Sequence, residues 1–297
     1  MIEVHRTLLE WYAREARMFP WRYANPEPYH VLISEYMLQQ TQTQRIADRF
    51  PAFIERYPNI QALSKTTKQE IILAWQGLGY NNRALRLREC ALTIVEKFGG
   101  IIPDMYDQLI SLPGIGPYTA SAIMAFAHGK DIAIIDVNIY RIYARMMGIS
   151  NPADANKSMI AIFADQIYPR GNASEWHQAL MDIGASLCKA HHAQCNACPL
   201  NMHCKSAFQV NMDVKKIKRK EPSHRDVPNR IWRGRTVECL RNRPSFAESK
   251  ELLLSAVIEQ QVNDQDILWF DQTIIPALVK DSLIEYDMQT NIVSIAS

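Results

Sequence analysis

Apolar residues recur at three- and four-residue spacing along nearly all of the chain up to Cys204, the pattern of amphipathic helices sharing a core. Glycine and proline punctuate it at Pro26 and Pro28, at Gly99, Gly100 and Pro103, from Pro113 to Pro117, and at Gly129, Pro152, Pro169 and Gly171. No period-two alternation interrupts the helical pattern, so this part is predicted to be all-α. Residues 209–226 are polar and basic and read as a linker. Beyond them, helical patterns cover residues 230–241, 247–259 and 271–281, and residues 283–286 and 291–295 are expected to pair as a short hairpin. Three helices and a hairpin predict a small winged-helix-like module. The expected organisation is a helical domain over 1–208, a basic linker over 209–226 and the module over 227–297.

Composition narrows the choices. The chain has 297 residues, 47% of them hydrophobic, enough for one large or two moderate cores. No stretch approaches the roughly 18 uninterrupted apolar residues of a membrane span, so no membrane partner is expected. The net charge is only +2, which does not by itself mark a nucleic-acid binder. Its distribution says more. Lys215, Lys216, Lys218, Arg219 and Lys220 form a basic run, followed by Arg225, Arg230, Arg233 and Arg235. This is either a solvated linker or a segment that tracks phosphates. Cys90 and Cys239 stand alone in helical patterns and read as small buried hydrophobes.

The other four cysteines are spaced Cys188-x6-Cys195-x2-Cys198-x5-Cys204. Four thiolates in so short a loop can close around one small object, and the spacing suits an iron–sulfur cube. A structural zinc site is the alternative, although only Cys195 and Cys198 form the paired knuckle that zinc sites favour. Disulfides are a weaker reading, because no secretory signal opens the chain.

Residues 104–129 read as helix, tight turn, helix. Leu109, Ile110 and Leu112 lead into Pro113-Gly114-Ile115-Gly116-Pro117, after which Tyr118 and Thr119 start the second helix. Two glycines able to take φ > 0 let the backbone approach a ligand. The amides of the new helix carry partial positive charge, so the turn suits a DNA phosphate. An ordinary helix corner also tolerates glycine, but rarely two glycines and two prolines in five residues.

The string LPGIGPYTASAI resembles the helix-hairpin-helix signature of the endonuclease III-type DNA glycosylases, and Ile135-Asp136-Val137-Asn138 resembles their catalytic aspartate segment. The cysteine spacing is similar to their iron–sulfur loop. Within that superfamily, SEYMLQQTQ over residues 34–42 and Gly77-Leu78-Gly79-Tyr80 look like the MutY-type adenine glycosylases. The resemblance spans roughly residues 5–205. It implies an all-α endonuclease III-like helix-hairpin-helix fold with an iron–sulfur loop, plus the small C-terminal winged-helix-like module.

The resemblance also assigns roles. Glu35 would protonate the departing adenine. The apolar residues around it, Val31, Leu32, Ile33, Tyr36, Met37 and Leu38, predict burial and a raised pKa; without the family context, a solvent-facing glutamate is the commoner case. Asp136 would stabilise the sugar cation, assisted by Asn138, and its place before Ile139, Ile142 and Tyr143 also makes it a helix N-cap. Tyr118 occupies the slot where bifunctional relatives carry a nucleophilic lysine, so the activity implied is hydrolysis without strand nicking. Gln40 and Tyr80 are candidates for wedging into the base stack, with polar helix surface and buried aromatic as the plain readings. Gly114, Gly116 and Thr119 would hold DNA phosphate. Trp21, Arg22 and Gln178 resemble residues lining the adenine pocket. Cys188, Cys195, Cys198 and Cys204 would ligate a [4Fe–4S] cluster.

Two positions depart from the family pattern. Asn81-Asn82-Arg83 stands where a second aromatic or small residue is common, and Val137 where glycine is usual. The C-terminal residues are also too few for the Nudix-like domain that reads 8-oxoguanine in longer MutY proteins. General phosphate affinity and weak discrimination of 8-oxoguanine from guanine are expected of them. The expected protein is a monomeric, cytoplasmic, nucleoid-associated glycosylase acting on mismatched double-stranded DNA, removing adenine opposite guanine or 8-oxoguanine. A thymine or uracil mismatch glycosylase of the same fold is the nearest rival. A non-catalytic DNA-binding or redox-sensing iron–sulfur protein is the rival from another class.

Overall fold

The computed structural model describes residues 2–22, 26–209 and 221–297; the basic run Lys215–Lys220 lies outside them. The helices in chain order are α1 (Ile2–Glu15), α2 (Pro28–Leu38), α3 (Thr43–Arg56), α4 (Ile60–Ser64), α5 (Lys68–Ala74), α6 (Asn82–Phe98), α7 (Tyr106–Ile110), α8 (Pro117–His128), α9 (Val137–Met146), α10 (Lys157–Ile167) and α11 (Ala173–Ser186). Towards the C-terminus come β1 (Ser223–His224), β2 (Val227–Pro228), α12 (Asn229–Arg241), β3 (Ala247–Ser249), α13 (Lys250–Ile258), α14 (Asp264–Trp269), α15 (Ile275–Lys280), β4 (Ile284–Asp287) and β5 (Ile292–Ile295). The described residues up to 209 contain no strand longer than an isolated bridge, as the helical periodicity predicts. No described helix is long and apolar enough to cross a membrane.

The chain divides into two compact units, each built from discontinuous segments: the described residues of Met1–Glu35 with Pro103–Ile217, and those of Tyr36–Ile102 with Lys218–Ser297. These units follow neither the expected boundary at 208 nor that at 227. The first unit packs α1, α8, α9, α10 and α11 around Leu8, Ile139, Tyr143, Trp176, Leu180 and Ile183, all buried. Burial of large side chains such as these contributes roughly 1.5–3 kcal/mol each relative to exposure.

The second unit combines α3 to α6 with the C-terminal residues. Phe53 meets Trp75 edge to face at 6.0 Å, and Trp232, Val237, Leu240, Phe270 and Leu278 are buried beyond them. Arg241 of α12 donates to the Ile72 carbonyl at 2.7 Å and to Asn81 at 2.9 Å. The C-terminal residues therefore fold onto the middle of the chain.

The hairpin expected near the C-terminus forms as β4 and β5, with β3 added as a third strand in the order β3-β5-β4, all antiparallel. Two boundaries differ from the sequence expectation. Residues 247–249 are strand, and their helix starts only at Lys250, capped by Ser249, whose hydroxyl accepts from the Leu252 amide. Tertiary pairing with β5 overrides a local pattern that suits either state. The third helical stretch starts earlier than expected, at Asp264, capped by Asn263. It runs through a π-helical turn at Phe270–Ile274 into α15. Pro276 removes an N–H donor there, which favours the widened turn.

Candidate active site

All of the groups in this site belong to the first unit. Glu35 sits on α2 with 5% of its surface exposed. Burial pushes its carboxyl up to about 7, helped by the negative charge of Asp136, whereas a hydrogen bond from Tyr118 and the charge of Arg22 act in the opposite direction. One carboxyl oxygen, Oε2, is buried without a hydrogen-bond partner among the described residues. A buried acid with a free oxygen and a pKa near neutrality holds a proton that a bound ligand can take.

Asp136 caps α9. Its Oδ1 accepts from the amides of Asn138 at 2.9 Å and Ile139 at 2.6 Å, and its Oδ2 accepts from the Asn138 side chain at 2.9 Å. Three donors and a helix N-terminus fix this carboxylate. Asn138 is fixed in turn by Arg141, which donates to its Oδ1 at 2.9 Å and to the Gly184 and Cys188 carbonyls at 2.8 Å each. Val137, where the resemblance leads one to expect glycine, is 79% exposed.

Tyr118 opens α8. Its phenol is pushed well above the usual range, first by burial and then by the charges of Glu35 and Asp136, so it acts as a donor and not as a base. The hairpin before it departs from expectation in one respect. Gly114 takes φ 80°, but Gly116 is extended at φ −101° and serves as the N-cap of α8. What Gly116 contributes is space, since a Cβ there would meet nothing within 4 Å. Thr119 is buried, so its side chain is not presented to a ligand. Its amide and that of Tyr118 lie in the first turn, where no intrahelical acceptor exists.

The three expected pocket residues are placed differently from one another. Arg22 donates to both oxygens of Asp182, at 3.0 and 2.9 Å. Trp21 is buried and stacks on Phe19 with ring centroids 5.0 Å apart. Gln178 is held by Tyr12 at 2.9 Å and by Ser174 at 3.0 Å.

Several residues of the site carry no local sequence signal. Asp182, 1% exposed, gathers Arg22 and the backbone and side chain of Arg17. It lies four residues after Gln178, one helical turn along α11, which is the only hint. His177 is buried and neutral, with its pKa lowered to about 4 by burial. Its Nε2 accepts from the Ile134 amide at 3.1 Å while Nδ1 donates to the Ala173 carbonyl at 2.6 Å. It thereby anchors the segment that delivers Asp136.

Cys188, Cys195, Cys198 and Cys204 line one small cavity together with Arg145, which donates to Cys188 Sγ at 3.1 Å. Among the described residues, no group of three or more His, Cys, Asp or Glu side chains is gathered as a single ion requires. Cys90 is fully buried, as expected of a structural thiol.

Gln40 and Tyr80 belong to the second unit. Both are non-glycine residues with positive φ, 58° and 45°, and both are exposed. Their loops are tied by Arg83, whose guanidinium donates to the carbonyls of Tyr36, Met37, Leu78 and Gly79 and to the Thr41 hydroxyl, at 2.8–3.0 Å.

Residues 33–164 match the family described as HhH-GPD superfamily base excision DNA repair protein. An adenine DNA glycosylase from Mycolicibacterium smegmatis is 34% identical over 238 residues, covering 79% of each chain. The chain belongs to the MutY-type branch of the helix-hairpin-helix glycosylase superfamily. A second MutY-type relative, the adenine DNA glycosylase of Mycobacterium tuberculosis H37Rv, is 36% identical over 198 residues; this chain spans 64% of its length. Among solved structures, a thermostable thymine-DNA glycosylase aligns with a TM-score of 0.64 and 29% identity, over 70% of this chain and 96% of its own. The MutY-type fold is therefore shared by proteins named for different bases.

Proposed function

We propose that this protein is a monofunctional DNA glycosylase of base excision repair that hydrolyses the N-glycosidic bond of adenine mispaired with guanine or 8-oxoguanine in duplex DNA. The observation that carries the reading is Glu35, a buried carboxyl raised to about 7 with one oxygen unpartnered. Adenine leaves poorly as an anion and needs a proton; thymine and uracil need one less. Glu35 delivers that proton, and the Asp136 carboxylate stabilises the oxocarbenium-like sugar and orients the attacking water. Two carboxyls in contrasting surroundings, one desolvated and one held by N–H donors, divide the work. Tyr118 has no amine to form a Schiff base, so the product is an abasic site in an unbroken strand.

The hairpin over residues 113–119 grips a phosphate through its backbone amides, with Gly116 leaving the approach open. Gln40 and Tyr80 enter the stack as the base flips out. Trp21, Arg22 and Gln178 shape the base pocket. A [4Fe–4S] cluster on Cys188, Cys195, Cys198 and Cys204 would cross-link the loop. The donor set fits it, with four thiols around one cavity, an arginine facing a ligand sulfur and no carboxylate lining. The protein acts as a monomer on cytoplasmic, nucleoid DNA.

The thymine-named structural neighbour supports a second reading, thymine or uracil removal from mismatches with guanine. A panel of duplexes with adenine, thymine or uracil opposite guanine, cytosine or 8-oxoguanine, treated with alkali after incubation, separates the two. Cleavage confined to adenine strands is expected. Cleavage confined to thymine or uracil strands overturns the proposal.

A further inference from the structure

The loop that carries Tyr80 is held by the C-terminal residues of its own unit. Gly77, Gly79 and Tyr80 take φ of 81°, 70° and 45°, so the chain turns left-handed at each of them. For tyrosine that conformation costs free energy and persists only where the surroundings over-determine it. Arg83 supplies one restraint through the Leu78 and Gly79 carbonyls. A second comes from α12. Arg241, with 5% of its side chain exposed, donates to the Ile72 carbonyl at 2.7 Å and to Asn81 Oδ1 at 2.9 Å. One guanidinium thereby spans the loop, gripping α5 before it and the start of α6 after it. Glu238, on the same face of α12, accepts from Arg241 at 2.9 Å and from the side chain of Gln76, inside the loop.

Asn81 adds an independent observation. It occupies the N-cap of α6, where an asparagine side chain ordinarily accepts from an amide of the first helical turn. Among the described residues it makes no such bond. Its carbonyl oxygen is turned to Arg241 instead, 160 positions along the chain, and the residue is buried. A local stabilisation is given up for a distant one. Asn81 is also one of the residues that depart from the pattern the resemblance implies, and its partner lies in the C-terminal residues, the other departure. Attachment of α12 does not require these bonds, because Trp232, Val237 and Leu240 already bury its apolar face. Its polar contacts converge instead on the two stems and the middle of one loop.

We infer that Arg241 is a positioning residue for base flipping: with Asn81 and Glu238 it fixes the stems of the loop, so that Tyr80 is held in place to enter the base stack. This inference rests on the wedge role proposed for Tyr80 and gives α12 a task other than phosphate affinity. The physical gain is preorganisation. A wedge already held in its bound conformation loses little loop entropy on entering the duplex. Displacement of a positioned group by about 1 Å can slow a reaction roughly a hundredfold.

The test uses the full chain and duplexes carrying 2′-fluorinated deoxyadenosine or deoxythymidine opposite guanine, with 2-aminopurine as the neighbouring base. The fluorine disfavours a cationic sugar, so neither target is excised. Entry of the wedge unstacks the 2-aminopurine and raises its fluorescence. Wild-type protein should give that rise, and Tyr80→Ala should lose it. Arg241→Lys and Asn81→Ala should slow it roughly tenfold or more, while both bind a fully paired duplex as wild type does. Asn81→Ala removes a single bond, so it keeps the test decisive where Arg241→Lys folds poorly. Glu238→Gln, which still offers Arg241 an acceptor, should keep a near-wild-type rise. On a cleavable duplex, Arg241→Lys should lower single-turnover excision in the wild-type background and add little to Tyr80→Ala. Loss by the same factor in both backgrounds is what a purely structural residue gives, and it overturns the inference. A rise kept in both Arg241→Lys and Asn81→Ala overturns the inference alone. A rise that survives Tyr80→Ala, or no rise in wild type, overturns it together with the wedge role. A rise governed by Tyr80 and Arg241 in a protein that removes no adenine upholds the inference and sinks only the adenine reading.

Discussion

Tyr118 donates a hydrogen bond to the buried carboxyl of Glu35, joining the first turn of α8 to α2. The bond favours the ionised carboxyl, while desolvation and the neighbouring Asp136 favour the protonated one. Desolvation wins, because a buried carboxylate loses more hydration than one neutral donor returns. The phenol thus tunes the proton that Glu35 holds.

Tyr118→Phe should accordingly move the pH profile. Excision by a general acid falls as pH rises through its pKa, here about 7. Without the phenol the ionised form loses its donor, the pKa rises, and the falling limb should shift to higher pH. Single-turnover rates between pH 5 and 9 would show this; a shift to lower pH would contradict the assignment.

Glu35→Gln should abolish adenine excision, because an amide delivers no proton, and it should also stabilise the fold. The folded-state pKa of about 7 lies above the ordinary glutamate value of 4.5, so ionisation opposes folding. The penalty is absent below about pH 4.5, grows as pH rises, and is complete above about 7, where it reaches about 3 kcal/mol. Thermal melts of the two proteins should diverge at pH 8 and converge towards pH 4.5.

Asp136→Asn should remove excision while leaving folding and duplex affinity nearly intact. Asparagine caps a helix about as well as aspartate, so the stability change should stay under about 1 kcal/mol. The transition state, however, loses its counter-charge. Paired binding and single-turnover assays check the separation; wild-type turnover would sink the role.

Arg83→Lys should lower stability by about 2–4 kcal/mol. One ammonium cannot replace a planar fork that serves five acceptors, and buried carbonyls are left unpaired. Urea denaturation measures the loss. Excision should fall further than stability predicts, since the loops of Gln40 and Tyr80 lose their common tie.

Protein purified without oxygen should be brown, with broad absorbance near about 400 nm. Changing Cys188, Cys195, Cys198 or Cys204 to Ser should remove the colour, whereas Cys90→Ser and Cys239→Ser should keep it. A colourless, zinc-loaded and fully active protein would refute the cluster.

Features encoded over a few consecutive residues were legible in the chain by itself. The helix–turn–helix around Gly114, the cap at Asp136, the cysteine loop and the terminal hairpin each depend on local backbone preference or spacing, which sequence carries directly. The burial of Glu35 is legible only with the SEYMLQQTQ context added, because a glutamate among such neighbours more often faces solvent. Tertiary structure decided what depends on distant partners. Asp182 becomes the anchor of Arg17 and Arg22 only because α11 packs on α1. Arg83 becomes a clamp only because two loops about forty residues apart present their carbonyls to it. Residues 247–249 become strand only because β5 supplies the ladder. Electrostatics and close approach are set by the sum of many contacts across the chain, and no local pattern encodes that sum.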